Sequence, residues 1–254
     1  MEYLIVCPLV FLAGFIDAIA GGGGLISLPA YLIAGLPPHA AIGTNKFSAC
    51  MGTVVATWHF ARCGFIHWKR VLPAVVVALS GSWAGARMAL LVPSDIFKVI
   101  MLVVLPATAC YLFRKKSLQS VSPAYSERKT TWLTVVISFI IGIYDGFYGP
   151  GTGTFLLVLL TAVAHVSLNE AAGTTKVINL ATNVSALFVF LFHGVVWFPL
   201  ALVAAAFGVA GNYIGARYFT SKGTGFVRPV VIGVLTIFFI KICWELFFRL
   251  IRLA

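Results

Sequence analysis

Three blocks of this sequence occur twice, in the same order. GFIDAIAGGGG, Gly14 to Gly24, returns as GIYDGFYGPGT, Gly142 to Thr152, which pairs Asp17 with Asp145, Gly21 with Gly149 and Gly23 with Gly151. AAIGTNKFS, Ala40 to Ser48, returns as AAGTTKVIN, Ala171 to Asn179, so that Gly43, Thr44 and Lys46 recur 130 positions on as Gly173, Thr174 and Lys176. GSWAGAR, Gly81 to Arg87, returns at the same offset as GNYIGAR, Gly211 to Arg217. Blocks repeated in order mean that one structural unit is built twice. Residues 1–113 and 131–254 are therefore read as two copies, joined by a basic link over 114–130.

The environment of those copies follows from their polarity. Of 254 residues, 61% are hydrophobic and 10% charged, against about 25% charged in soluble domains. Apolar runs such as Val71 to Ala86, Ile96 to Phe113 and Thr131 to Tyr144 predict helices that cross a bilayer. The expected fold is an all-α polytopic membrane protein of eight to ten membrane helices. Each copy reads as about five apolar segments: 3–20, 24–36, 40–61, 69–91 and 95–113, then 131–148, 152–166, 171–192, 196–217 and 227–249. The second segment of each copy is shorter than the roughly 20 residues a crossing needs and fits a re-entrant half-helix. Leu4 to Ala13 resembles a signal-peptide core, but Glu2 stands where a basic residue belongs and the segment is echoed in the second copy.

Charge placement orients the copies. The loop with Arg62, Lys69 and Arg70 corresponds to HGVVWFP from His193, which has no lysine or arginine; the nearly neutral loop at Pro93 and Asp95 corresponds to one with Arg217, Lys222 and Arg228. By the positive-inside rule, equivalent loops fall on opposite sides. The copies then form an inverted-topology repeat, as in many secondary transporters. The link with Arg114, Lys115, Lys116, Arg128 and Lys129 is expected in the cytoplasm, and both termini outside. A net charge of +11 spread between apolar segments speaks for membrane topology rather than for nucleic acid.

The candidate site lies in the repeated blocks. Glycines 21, 22, 23, 149 and 151 fall between apolar segments, where unwound backbone can line a cavity; the plainer reading is a tight helix-to-helix turn. Each GT-x-K block is expected to begin a helix, so that Thr44, Asn45, Lys46, Thr174, Thr175, Lys176 and Asn179 gather around an anion at two helix amino termini. Snorkelling lysines and capping threonines are the alternative. Asp17 and Asp145 are candidates for carrying a coupling proton, for pairing with the lysines, or for capping the glycine turns. Arg87 and Arg217 read as interfacial anchors on small-x3-small helices. The five cysteines and five histidines show no metal-ligand spacing. No cofactor, metal or catalytic group is expected.

The stretch GFIDAIAGGGGLISLPAYLIAGLPPHAAIGTNKF, together with GIYDGFYGPGTGTF and EAAGTTKVINLATN, resembles the TauE/SafE family of sulfite exporter-like transporters, also called the TSUP group. The resemblance covers most of the chain and departs from symmetry where Thr175 replaces Asn45. It implies a multi-pass inner-membrane transporter, with no enzymatic activity, for small sulfur-containing or organic anions such as sulfite, thiosulfate or sulfonates. Protons are the candidate coupling ion. A passive anion channel, or an importer of another small anion, would suit the same scaffold.

Overall fold

The structure, a computed structural model, describes residues 2–94, six further residues between 96 and 104, and residues 125–222. Among the described residues there are eight helices and no strand: α1 Glu2–Ala20, α2 Gly24–Ile33, α3 Pro38–Arg62, α4 Trp68–Leu91, α5 Glu127–Phe147, α6 Thr152–Ala162, α7 Leu168–Phe192 and α8 Phe198–Lys222. They match four of the five expected segments of each copy. The segment expected at 227–249, most of the one expected at 95–113 and most of the link lie outside the described residues.

Five helices, α1, α4, α5, α7 and α8, are long and apolar enough to cross a membrane. The α3 helix has the length, at 25 residues, but carries Asn45, Lys46 and Arg62. With 10 and 11 residues, α2 and α6 extend about 15–17 Å, half the hydrocarbon thickness of roughly 30 Å. The bundle buries polar and charged groups within a largely apolar core and also exposes large apolar side chains. Lys46, Asp145, Lys176, Asn179 and Asn183 are all buried, whereas Trp58, Leu72, Val76, Phe139, Ile140, Phe192 and Leu202 are exposed. That distribution suits lipid and makes the chain a multi-pass membrane protein.

Glycine makes the main helix contacts. On α4, Gly81 and Gly85 sit against the carbonyls of Phe139 and Ile143 on α5; on α8, Gly211 and Gly215 sit against those of Phe11 and Phe15 on α1. A Cβ at Gly85 would overlap the Ile143 oxygen, and one at Gly215 that of Phe15. Small residues are what let backbones approach this closely. The duplicated GSWAGAR and GNYIGAR blocks thus do equivalent packing, each joining the fourth helix of one copy to the first helix of the other. Arg87 lies over Trp83 and Arg217 over Tyr213, at 5.8 and 4.9 Å from the ring centres, again at equivalent positions.

Contacts at the helix ends fix their directions. Arg70 at the start of α4 bonds Glu127 at the start of α5 and Glu170 at the start of α7. The ends of α3 and α8 meet where His59 bonds Thr220 at 3.3 Å and Phe60 packs on Phe219. Gly173 on α7 packs against Phe65, just past the end of α3, which brings both sets to one side. At the other side, His39 at the start of α3 reaches the Ala89 carbonyl near the end of α4.

Candidate functional site

The two copies meet in the interior through reciprocal ion pairs. Lys46, on α3, holds Asp145 Oδ2 on α5 at 2.6 Å. Lys176, on α7, holds Asp17 Oδ2 on α1 at 3.0 Å and also donates to the Asp17 carbonyl oxygen. Each lysine is therefore paired with the aspartate of the other copy. Both ammonium groups are almost wholly buried. Of the alternatives open to Asp17 and Asp145, this geometry has them paired with lysines.

The chain breaks in the glycine blocks just beyond these aspartates. Gly21, Gly149 and Gly151 have φ of 74°, 95° and 85°, a left-handed conformation that ends α1 and α5 and starts the short helices. The two breaks touch. A Cβ at Gly21 would strike Gly153, and one at Gly24 would come within 3.0 Å of Pro150. Hydroxyl groups lock the turns: Thr154 Oγ1 donates to the Ala20 carbonyl at 2.7 Å and Thr152 Oγ1 to that of Gly149 at 2.7 Å. Among the described residues neither α2 nor α6 has a side-chain cap; the Leu25 and Ile26 N–H groups bond back to the Gly22 and Gly23 carbonyls and that of Thr152 to Gly149, while the helix dipoles leave partial positive charge at both starts.

A cavity lies at this junction, with about 50 Å³ open to the centres of water-sized molecules. Its charged lining is Asp17, Lys46 and Asp145; its amide lining is Asn45, Asn179, Asn183 and Asn212; Ser27 and Ser48 add hydroxyls, and Gly21, Gly23, Gly24, Gly149 and Gly153 add backbone. Asn183 Oδ1 accepts a hydrogen bond from Lys46 at 3.0 Å. Ser48 shares a 2.8 Å bond with Tyr31 and donates to the Asn45 carbonyl at 3.1 Å. A site with a paired cation, carboxylates, amides and two helix starts can exchange polar partners with a small ligand at low cost in desolvation. Among the described residues no three His, Cys, Asp or Glu side chains gather as a metal site would need.

A sequence profile of the family described as Sulfite exporter TauE/SafE matches residues 6–242. The chain belongs to the TauE/SafE family. Similar to this TauE/SafE chain are a probable membrane transporter protein, ORF9, of Sinorhizobium sp., 38% identical over 88% of this chain and 85% of the relative, and a probable membrane transporter protein of Haemophilus influenzae, 32% identical over 87% of each. The probable membrane transporter protein YfcA of Escherichia coli K12 is 29% identical over 92% of this chain and 87% of its own length. No solved structure matches the chain. Family and relatives together make it a membrane transporter of the TauE/SafE type.

The sequence-derived site residues of this TauE/SafE protein divide in two. Asp17, Gly21, Gly23, Asn45, Lys46, Asp145, Gly149 and Asn179 line the cavity, whereas Gly22, Thr44, Gly151, Thr174, Thr175 and Lys176 do not. One expectation is corrected. The GT-x-K blocks do not begin their helices: α3 starts at Pro38 and α7 at Leu168, placing Thr44 and Thr174 one to two turns inside. Pro37 and Ser167, both extended, open those helices earlier, so the N–H groups of the blocks are committed to intrahelical bonds. The helix starts at the cavity are those of α2 and α6 instead. Thr44 Oγ1 accepts the Trp197 N–H at 3.0 Å, a link between copies rather than a cap. Ser27, Ser48, Asn183 and Asn212 were not picked out from the sequence; the spacing of Asn179 and Asn183, one helical turn apart, was the available signal for Asn183.

Proposed function

We propose that this chain is a secondary transporter that exports small sulfur-containing or organic anions, such as sulfite, thiosulfate or sulfonates, by alternating access of two inverted-topology repeats. The observation that carries the reading is the reciprocal pairing of Lys46 with Asp145 and Lys176 with Asp17 around one polar cavity. Buried charge at the centre of a membrane bundle marks a path for ions or substrate, and broken helices at a repeat interface are where such transporters bind. The inverted arrangement is supported by direction: α3 ends and its equivalent α7 begins on the side where α4 begins and its equivalent α8 ends.

That side also carries Arg62, Lys69, Arg70, Arg128, Lys129 and Arg217, which makes it the cytoplasmic face of the inner membrane by the positive-inside rule. The basic link then lies in the cytoplasm and both termini outside. The substrate class rests on the family's description as a sulfite exporter, and on the placing of Lys46 beside two helix starts without side-chain caps, which favours an anion. An anion reaching Lys46 competes with Asp145. A proton on Asp145 would keep the site neutral, so protons are the natural coupling ion, carried by Asp145 or Asp17.

Flux of sulfite in proteoliposomes under an imposed anion gradient tests the reading. Saturable uptake with counterflow, lost in Lys46→Met, supports it. Sustained ohmic current without counterflow assigns a channel instead, and the absence of anion flux overturns it.

A further inference from the structure

The two lysines are equivalent in sequence but not in surroundings. Lys46 faces the cavity and Lys176 does not. Lys176 is occupied by Asp17 twice, through its carboxylate and its main-chain carbonyl. Among the described residues Lys46 makes two hydrogen bonds, to Asp145 and to the amide of Asn183, out of the three an ammonium can donate. Beside its Nζ is Gly149, where a Cβ would stand 3.2 Å away; the bare glycine keeps that side open.

Asn183 has no equivalent in the first copy. The matching position is Thr53, whose hydroxyl donates to the Ala49 carbonyl of its own helix at 2.7 Å. Asn183 is 4% exposed and lines the cavity. Its Oδ1 is committed to an ammonium that can only donate, and this fixes which way the amide is turned. Among the described residues the NH2 group has no protein partner, and it stands at the cavity wall. Such a donor is available to an acceptor oxygen that enters the cavity.

We infer that Asn183 is a substrate-contacting residue that makes the site selective for oxyanions: its NH2 and the third N–H of Lys46 bind two different oxygens of one small anion. The anion must then present at least two acceptor oxygens on one centre, as sulfite, thiosulfate and sulfonates do and chloride does not. Discrimination comes from the second oxygen, because a monatomic anion cannot span both donors. The inference rests on the proposed anion transport and adds the residue that sets its selectivity.

Calorimetric titration of sulfite and chloride into the purified full chain tests it. Asn183→Leu removes one hydrogen bond to a charged acceptor, so sulfite affinity is expected to fall about 10- to 100-fold while chloride affinity changes little. Asn183→Asp keeps the acceptor for Lys46 but replaces the donor by a like charge, and is expected to lose about 100-fold or more. Thr53→Val, which alters the equivalent position away from the cavity, should bind as the parent does. The order of the two Asn183 variants separates contact from positioning: a residue that only held Lys46 would leave the Asp variant the tighter binder. That order, or an unchanged ratio of sulfite to chloride affinity in Asn183→Leu, overturns the inference. If the unaltered protein binds none of sulfite, thiosulfate and methanesulfonate, the proposed anion transport itself falls.

Discussion

Lys46 on α3 and Asp145 on α5 meet at 2.6 Å with both side chains almost completely removed from solvent. The pair joins the two sequence copies, so its loss should be felt by both. Taking away one member leaves an uncompensated buried charge, which costs about 3–5 kcal/mol, whereas replacing both is often close to neutral. Lys46→Met is therefore expected to lower stability in detergent by that amount, and Lys46→Met with Asp145→Asn to recover most of it without regaining anion flux. Thermal unfolding of the single and double variants checks the cycle. A double variant as unstable as the single one would mean that the pair is not the unit of stability.

Glycines at the helix crossings should be intolerant for a different reason. A Cβ at Gly146 would overlap the Ser82 carbonyl oxygen, and one at Gly215 that of Phe15. Gly146→Ala and Gly215→Ala must push backbones apart and are each expected to cost about 1–3 kcal/mol. Gly35 has φ 93° but nothing within 4 Å of a Cβ, so Gly35→Asn, which accepts that conformation, should cost under about 1 kcal/mol. Melting temperature and the monodisperse fraction after extraction give the comparison; equal losses at all three positions would refute the close-approach argument.

Arg70 ties three helix starts together, and it has no basic counterpart in the second copy, where Leu200 stands. Its side chain is 8% exposed, while Glu170 is 26% and Glu127 74% exposed. Glu127→Gln alters a solvated partner and is expected to change stability by no more than about 1 kcal/mol. Arg70→Met, by leaving Glu170 half-buried and unpaired, should cost clearly more. Unfolding in graded denaturant separates them, and an Arg70 variant no weaker than the Glu127 variant would show the cluster to be ornamental.

Much of this architecture was legible in the sequence because it depends on period and composition. Five of the eight helices start and end within three residues of the apolar segments, and the short α2 and α6 were recognisable by length alone. The second of those was expected over 152–166, but α6 stops at Ala162. Hydropathy cannot see where a backbone turns, and His165, at φ 55°, is part of that turn. The pairing of Lys46 with Asp145 was one option among several, since partners 99 positions apart are a matter of tertiary packing. The amides of Asn183 and Asn212 were missed for a related reason. A polar residue on a membrane helix shows its purpose only when the face it shares with a cavity is known, and the repeat pointed away from Asn183 because Thr53 is its match.

The last prediction concerns access to the cavity. Ser27 on α2 lines it, and among the described residues its hydroxyl bonds only the Gly23 carbonyl, at 3.2 Å. In a background where Cys7, Cys50, Cys110 and Cys243 are serine, Ser27→Cys places a thiol at the cavity wall, and exposed Cys63, past the end of α3, serves as the internal reference. Alternating access opens such a cavity to one side at a time. An anionic methanethiosulfonate reagent should therefore modify the new thiol from one membrane face far faster than from the other, and methanesulfonate should slow that reaction while leaving Cys63 unaffected. Mass spectrometry after labelling of sealed vesicles in each orientation reads both effects. Equal modification from the two faces would fit a continuous pore and remove the alternating mechanism; one-sided modification that methanesulfonate does not slow would remove the cavity as the anion site.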